Sequence, residues 1–286
     1  MSREPAPSEA PPEGVAPAKP ALEGRLPGPA SSPGAAVSRL DGRVAIVTGA
    51  SRGLGRAMAV ALAEAGADVA VAARARPDLE ETARLVTATG RRAIVVETDV
   101  TAYPQVEALV RRSIAELGGL HVVVNNSGIA RVAPVAQMSP EDFRATLEVN
   151  LVGVFNGCRA AAAHLLAQKA GKIINISSVL GQVGLPGYSA YAASKSGVMG
   201  FTRALAAEWA RHGIQVNAVA PGWFVTEMNA DAFADEGTRD RLLRDVPLRR
   251  TGRLDEIGPL VVYLASAASD FMTGQTLFLD GGQSAV

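Results

Sequence analysis

From Arg43 onward, short apolar runs rich in β-branched residues alternate with longer stretches of helical period, and this alternation constrains the 286-residue chain more than any other feature. Apolar runs with no polar alternation belong to strands buried on both faces, and strands joined through helices lie parallel with the helices covering the sheet. The runs place strands at Val44–Thr48, Asp68–Ala73, Ala93–Thr98, His121–Asn125, Lys172–Ile176, Gln215–Val219 and Gln275–Leu279. A helix is predicted over Gly55–Ala65, stopped by Gly66, and another near Leu254–Leu264. A further helix opens at Ser139-Pro140-Glu141-Asp142, where Ser139 can cap and Pro140 suits the first helical position. The expected architecture is α/β: one doubly wound Rossmann-type domain over residues 39–286, a parallel seven-stranded sheet with helices on both faces. The stretch Trp223–Thr251 is too long for an ordinary connection and reads as a lid-like insertion near 223–251, with a solvated surface excursion as the alternative.

Residues 1–38 are crowded with Pro, Ala, Gly, Ser and Glu and predict a disordered tail. No continuous apolar core of a secretory signal occurs there, and Glu4, Glu9, Glu13 and Glu23 oppose a transit peptide, so a cytoplasmic location is expected. Later apolar runs such as Ala192–Ala207 are too polar to span a bilayer. The 28 Lys and Arg balance the 28 Asp and Glu, which points to a small-molecule substrate and away from nucleic acid or a membrane surface. The single Cys158 suits a reducing compartment and a buried apolar site, while His121, His164 and His212 lack metal-ligand spacing, so no metal is expected.

The first strand runs directly into Gly49-Ala50-Ser51-Arg52-Gly53-Leu54-Gly55 and then a helix. Glycines let such a turn approach a pyrophosphate, whose charge meets free amides at the helix N-terminus. An acid at the end of the second strand would grip the adenosine ribose. Here that strand ends in Ala72-Ala73-Arg74, with no acid from Val69 to Arg76. Arg52 and Arg74 could therefore converge on a 2′-phosphate, which favours NADP over NAD; the alternative is that Arg74 and Arg76 are merely solvated.

Tyr191 and Lys195 stand four residues apart at the start of a helix and share a face. A free phenol has a pKa near 10, and an ammonium beside it, with the positive nicotinamide of the oxidised cofactor, is expected to draw that value toward working range. Alone, the spacing is common on helix surfaces.

Together with Thr48–Gly55, Asn125-Asn126-Ser127-Gly128, Asn150, Ser178 and Pro221-Gly222, the pair resembles the short-chain dehydrogenase/reductase family over essentially all of Leu40 to the C-terminus. The resemblance implies hydride transfer between a nicotinamide ring and a carbonyl or secondary alcohol. It implies Tyr191 as general acid and base, Ser178 as the serine orienting the substrate oxygen, and Asn150 as the asparagine that positions a water leading from Lys195. The cofactor would be held by Gly49, Ser51, Arg52, Gly53, Leu54 and Gly55 of the turn, with Arg74. Asp99 and Val100 would border the adenine, and Asn126, Ser127 and Gly128 the ribose. Tyr191 and Lys195 would take the nicotinamide side, and Pro221, Gly222 and Thr226 the carboxamide. Ser127 departs from the alanine that many members carry.

The motif set is similar to oxoacyl-carrier-protein reductases and sugar or sugar-acid dehydrogenases, and Pro221–Asn229 resembles gluconate 5-dehydrogenase-type members. A sugar acid, a sugar or an oxoacyl thioester is the expected substrate. For the thioester, Arg131 and Arg249 or Arg250 are candidate entrance cations. Tyr188, Leu185, Pro186 and Gly187 read as pocket wall, and Trp223, Phe224 and Met228 as substrate contacts or packing. Alternatives from other classes are a non-catalytic dinucleotide-sensing regulator and an epimerase or dehydratase on the same fold. The ending Phe278–Gly282 resembles a strand that packs against another subunit in many relatives, which implies a homotetramer, otherwise a homodimer.

Overall fold

In the computed structural model, β1 (Val44–Thr48), β2 (Asp68–Ala73), β3 (Ala93–Glu97), β4 (Val122–Asn125), β5 (Gly171–Ile176), β6 (Ile214–Pro221) and β7 (Thr276–Leu279) all fall within two residues of the predicted runs. The structure describes residues 38–286 except Met228, so the expected tail, Ser38 apart, and the reading of Met228 lie outside the described residues. Every strand pair is parallel, in the order β3-β2-β1-β4-β5-β6-β7. The helices are α1 (Gly53–Glu64), α2 (Arg76–Ala88), α3 (Tyr103–Leu117), α4 (Pro140–Leu147), α5 (Gly153–Gln168), α6 (Ser189–Trp209), α7 (Ala230–Ala234), α8 (Glu236–Leu243) and α9 (Ile257–Ala265). Among the described residues none is long and apolar enough to cross a membrane.

Both faces of the sheet are covered, which explains why β1 and β4 are buried at every position. On one face Met58 and Leu62 of α1, Leu79 of α2 and Ile257 and Val261 of α9 share a core with Val47 and Val71. On the other, Leu109 of α3, Leu165 of α5 and Val198 and Leu205 of α6 pack on Ile46, Ile173 and Val216. Each fully buried side chain of this kind contributes about 1.5–3 kcal/mol. The chain therefore leaves β1 toward one face and β4 toward the other, and the neighbouring carboxyl ends of β1 and β4 open a crevice between the diverging connections.

Two features depart from regular geometry. The helix opening at Pro140, with Ser139 Oγ accepting from Asp142 N at 3.0 Å, continues through a π-helical turn, Glu148–Val152, before α5. The excursion after β6 carries α7 and α8, and its neck is closed where Gly252 N donates to Trp223 O at 2.8 Å beside a bridge between Phe224 and Gly252.

Candidate active site

The carboxyl ends of the strands surround one cavity of about 990 Å³, and almost every residue singled out in the sequence lies on its wall. The β1–α1 turn contributes Gly49, Ser51, Arg52, Gly53, Leu54 and Gly55, and the β2 end contributes Arg74. Asp99 and Val100 follow β3, and Asn126, Ser127 and Gly128 follow β4. Ser178 follows β5, Pro221, Gly222 and Thr226 end β6 and enter the excursion, and α6 supplies Tyr191 and Lys195. Arg76 is elsewhere, paired with Glu80 at 2.8 Å and Glu97 at 3.6 Å. Asp78, in the first turn of α2, also reaches the wall near Arg74 and was not anticipated.

The turn has the shape a pyrophosphate needs. Gly49 has φ +63°, and a Cβ there would come 2.9 Å from Asn126 Nδ2; a Cβ on Gly55 would overlap the Gly49 carbonyl oxygen. Helix α1 starts without a capping side chain or an acid in its first turn, so its leading amides remain available to an anion. Residues that the sequence reading missed hold the turn in place. Arg56 Nη2 donates to Ser51 O, Arg56 Nε donates to Thr82 Oγ1 at 3.0 Å, and Thr82 Oγ1 donates to Ala50 O at 2.8 Å. On the β4 side, Asn126 Nδ2 donates to Thr48 O at 2.9 Å and Gly49 O at 3.1 Å, binding the two strand ends together. Thr226 is set by Asn229, whose Oδ1 accepts from Thr226 N at 2.8 Å.

On the α6 side of the cavity, Lys195 Nζ lies 5.6 Å from the Tyr191 ring centroid and donates to Ile176 O at 2.8 Å. Ser177 Oγ donates to Lys195 O at 2.8 Å, pinning α6 onto the end of β5 and leaving Ser178 at the cavity. Ser178 Oγ accepts from Leu180 N at 3.2 Å. Tyr188 packs edge-on against Tyr191, with ring centroids 6.3 Å apart.

The protein's own groups act on the phenol in the direction opposite to the one expected with the oxidised nicotinamide beside it. Burial pushes the Tyr191 pKa above its ordinary 10, Tyr188 adds to the rise, and the hydrogen bond with Ser178 offsets part of it. Burial likewise pulls Lys195 from 10.5 down to about 8. Among the protein's own groups desolvation therefore sets the direction for both side chains, which α6 carries at the carboxyl edge of the sheet.

Asn150 is the predicted catalytic residue that is not on the cavity wall. It is fully buried at the centre of the π-helical turn, accepting from Ile129 N at 2.8 Å and donating to Ile129 O at 2.9 Å and Ser194 Oγ at 3.0 Å. Ser194 in turn donates to Tyr191 O at 2.7 Å, so a residue that drew no notice inside Tyr191–Lys195 links the turn to the first turn of α6. Its small polar side chain in a mostly apolar stretch was the available signal.

The weaker sequence readings also find places. Trp223 and Phe224 reach the wall, as does Tyr188, whereas Leu185, Pro186 and Gly187, read with it as pocket wall, do not line the cavity. Cys158 is buried, with its thiol pushed up to about 12 by burial, and His121 Nδ1 accepts from Val44 N at 3.0 Å.

Fold and site define an oxidoreductase built on the doubly wound dinucleotide-binding fold. The sequence model of the family described as Enoyl-(Acyl carrier protein) reductase matches residues 49–284. The chain is 41% identical over 244 residues to 2-dehydro-3-deoxy-D-gluconate 5-dehydrogenase of Escherichia coli (strain K12), covering 85% of this chain and 96% of that protein. It is 41% identical over 239 residues to a 3-oxoacyl-acyl-carrier-protein reductase of Staphylococcus aureus (strain Mu50 / ATCC 700699), covering 83% and 96%. A crystal structure of a gluconate 5-dehydrogenase from Burkholderia cenocepacia J2315 in complex with NADP and tartrate superposes with a TM-score of 0.85 at 42% identity, covering 88% of this chain and 99% of that one. The chain belongs to the short-chain dehydrogenase/reductase family.

Proposed function

We propose that this protein interconverts a carbonyl and a secondary alcohol with NADP(H), using Tyr191 as general acid and base. The observation that carries the reading is the placement of Ser178, Tyr191 and Lys195 on the wall of the cavity that also holds the glycine turn and its uncapped helix. A nicotinamide dinucleotide supplies the hydride when bound and, in its oxidised form, a positive charge beside the phenol. The turn would hold its pyrophosphate, Arg52 and Arg74 its 2′-phosphate, Lys195 and Asn126 the nicotinamide-side ribose. The Burkholderia relative, solved with NADP, supports that preference.

In the reducing direction Tyr191 gives its proton to the developing alkoxide while Ser178 donates a hydrogen bond to the same oxygen. A phenol raised by burial holds that proton securely until the alkoxide forms. In the oxidising direction the ammonium of Lys195 favours the phenolate. Asn150 acts as a positioning residue through Ser194, and the excursion carrying α7 and α8 serves as a lid over the wall. Residues 39–286 form the catalytic domain, active as a cytoplasmic homo-oligomer, a tetramer or else a dimer.

The test is Tyr191→Phe, assayed by NADPH absorbance and by NADPH binding. Turnover is expected to fall about 10²–10⁴-fold with binding retained. Retained turnover in a variant that still binds NADPH would remove Tyr191 from its role.

A further inference from the structure

Resting on the reaction just proposed, we infer that the substrate is an uncharged carbonyl compound with an apolar body, and that the site rejects a free carboxylate near the reacting carbon. Sugar acids then drop out of the classes the sequence left open, while uncharged ketones, oxoesters and the acyl end of an oxoacyl thioester remain.

The inference comes from what surrounds the Tyr191 and Ser178 hydroxyls. Leu180 is tied to Ser178 through its own amide, and Tyr188 packs on Tyr191. Ile129 is held by Asn150 beside Gly128, where a Cβ would lie 3.6 Å from Lys195 Nζ. Val132 is brought over this end because Ala133 N donates to Gly187 O at 3.0 Å. Leu180, Tyr188, Ile129 and Val132 all reach the cavity, and Trp223 joins them from the end of β6.

Lys195 is the one wall cation at this end among the described residues, and it is already engaged. The cavity wall has three cations among the described residues: Arg52 in the glycine turn, Arg74 at the end of β2, and Lys195. The strand order places β2 on the far side of β1 from β5, so Arg74 belongs to the opposite flank from Ser178. Lys195 is buried and its ammonium already donates to Ile176 O. Arg131, offered by the sequence as an entrance cation, is exposed and pairs with Asp142 at 3.6 Å, off the wall. Arg249 and Arg250 line a separate cavity of about 480 Å³ on the excursion, and Arg250 is engaged by Glu256 at 2.8 Å. The wall also carries Glu148 and Glu227, the latter with Oε2 3.7 Å from where a Cβ on Gly53 would stand, so neither supplies a counter-charge for a carboxylate. A substrate carboxylate seated against Leu180 and Ile129 would lose its hydration with no unengaged counter-charge to replace it, since the Lys195 ammonium is committed to Ile176 O.

The experiment compares matched pairs with the full chain and NADPH: ethyl acetoacetate against acetoacetate, and methyl 4-oxocyclohexanecarboxylate against its free acid. The esters are expected to exceed the acids in kcat/KM by at least about tenfold, about 1.4 kcal/mol, mainly through KM. Leu180→Arg is expected to shrink that ratio by about tenfold by supplying the missing charge. Acids turned over as well as their esters by the wild type would overturn the inference. Binding to the NADPH complex of Tyr191→Phe, followed by nicotinamide fluorescence, separates the two claims: tighter binding of the esters supports this wall reading even where no compound is reduced. Equal or tighter binding of the acids refutes it whatever Tyr191 does.

Discussion

Replacing Lys195 by Met is expected to make the protein more stable and inactive at once. The side chain is 3% exposed, and burial holds its ammonium at about 8 against an ordinary 10.5. A cation whose folded-state pKa lies below its unfolded value works against folding wherever both states carry the proton. The cost is therefore complete below pH about 8, fades as pH rises, and is gone above about 10.5. At about 1.4 kcal/mol per pH unit, that difference corresponds to about 3 kcal/mol. Methionine keeps the apolar stem and removes the charge, but it leaves Ile176 O without the 2.8 Å bond from Nζ, a loss of about 1 kcal/mol. The net gain at pH 7 is about 2 kcal/mol, or roughly 4–8 °C in Tm for a chain of this size. Urea unfolding followed by tryptophan fluorescence at pH 6 to 10.5 reads it directly, with turnover measured on the same samples. The variant's advantage should be level up to pH about 8 and then shrink. A variant less stable than wild type at pH 7, or an advantage that does not change with pH, would refute the reasoning that burial dominates this ammonium. Such a result would mean that charge pairing within the site, and not desolvation, sets its titration.

Two further substitutions probe the cofactor wall and the frame. Arg74→Ala is expected to weaken NADPH binding about 10–100-fold, the loss of one charge-assisted contact, while NADH binding stays within about twofold; calorimetry with both cofactors checks it. Asp68 begins β2 and, with its side chain 6% exposed, bonds Arg91 at 2.9 Å and Arg92 at 2.7 Å just before β3. Burial raises its pKa, but the Arg92 amide and guanidinium and the charge of Arg91 outweigh that and hold it below 3.8. Asp68→Asn should therefore cost about 2–3 kcal/mol at neutral pH, at the low end for a buried pair because Arg92 is 60% exposed. The wild type's advantage is full above pH about 4 and disappears as pH falls through the lowered folded value, which acid-titrated thermal melts would follow.

The strands, their parallel arrangement and most of the cavity wall were legible in the residues because each depends on local pattern. Uninterrupted runs such as Val44–Thr48 can only be covered on both faces, and a glycine turn between strand and helix closes at one edge of the sheet whatever lies further along the chain. The residues that hold those groups were much harder to read. Thr82 braces the turn from 32 positions beyond Ala50 and holds Arg56 across 26, and neither carries a motif. Asn150 was named, but its inward place in a π-helical turn and its link through Ser194 to Tyr191 depend on an irregular turn that no helical periodicity announces.

By itself the sequence determined that Tyr191 and Lys195 share a helical face, since a spacing of four does so on any α-helix. How strongly the protein itself charges or neutralises the two groups was a tertiary matter, decided by how much water the packed segments leave around them: burial raises the phenol and lowers the ammonium. The same holds for the arginines. Their presence is written in the chain, but only the folded sheet puts Arg74 on one flank and leaves the end beside Ser178 lined by apolar side chains, because the strand order that separates them is not a property of any local stretch.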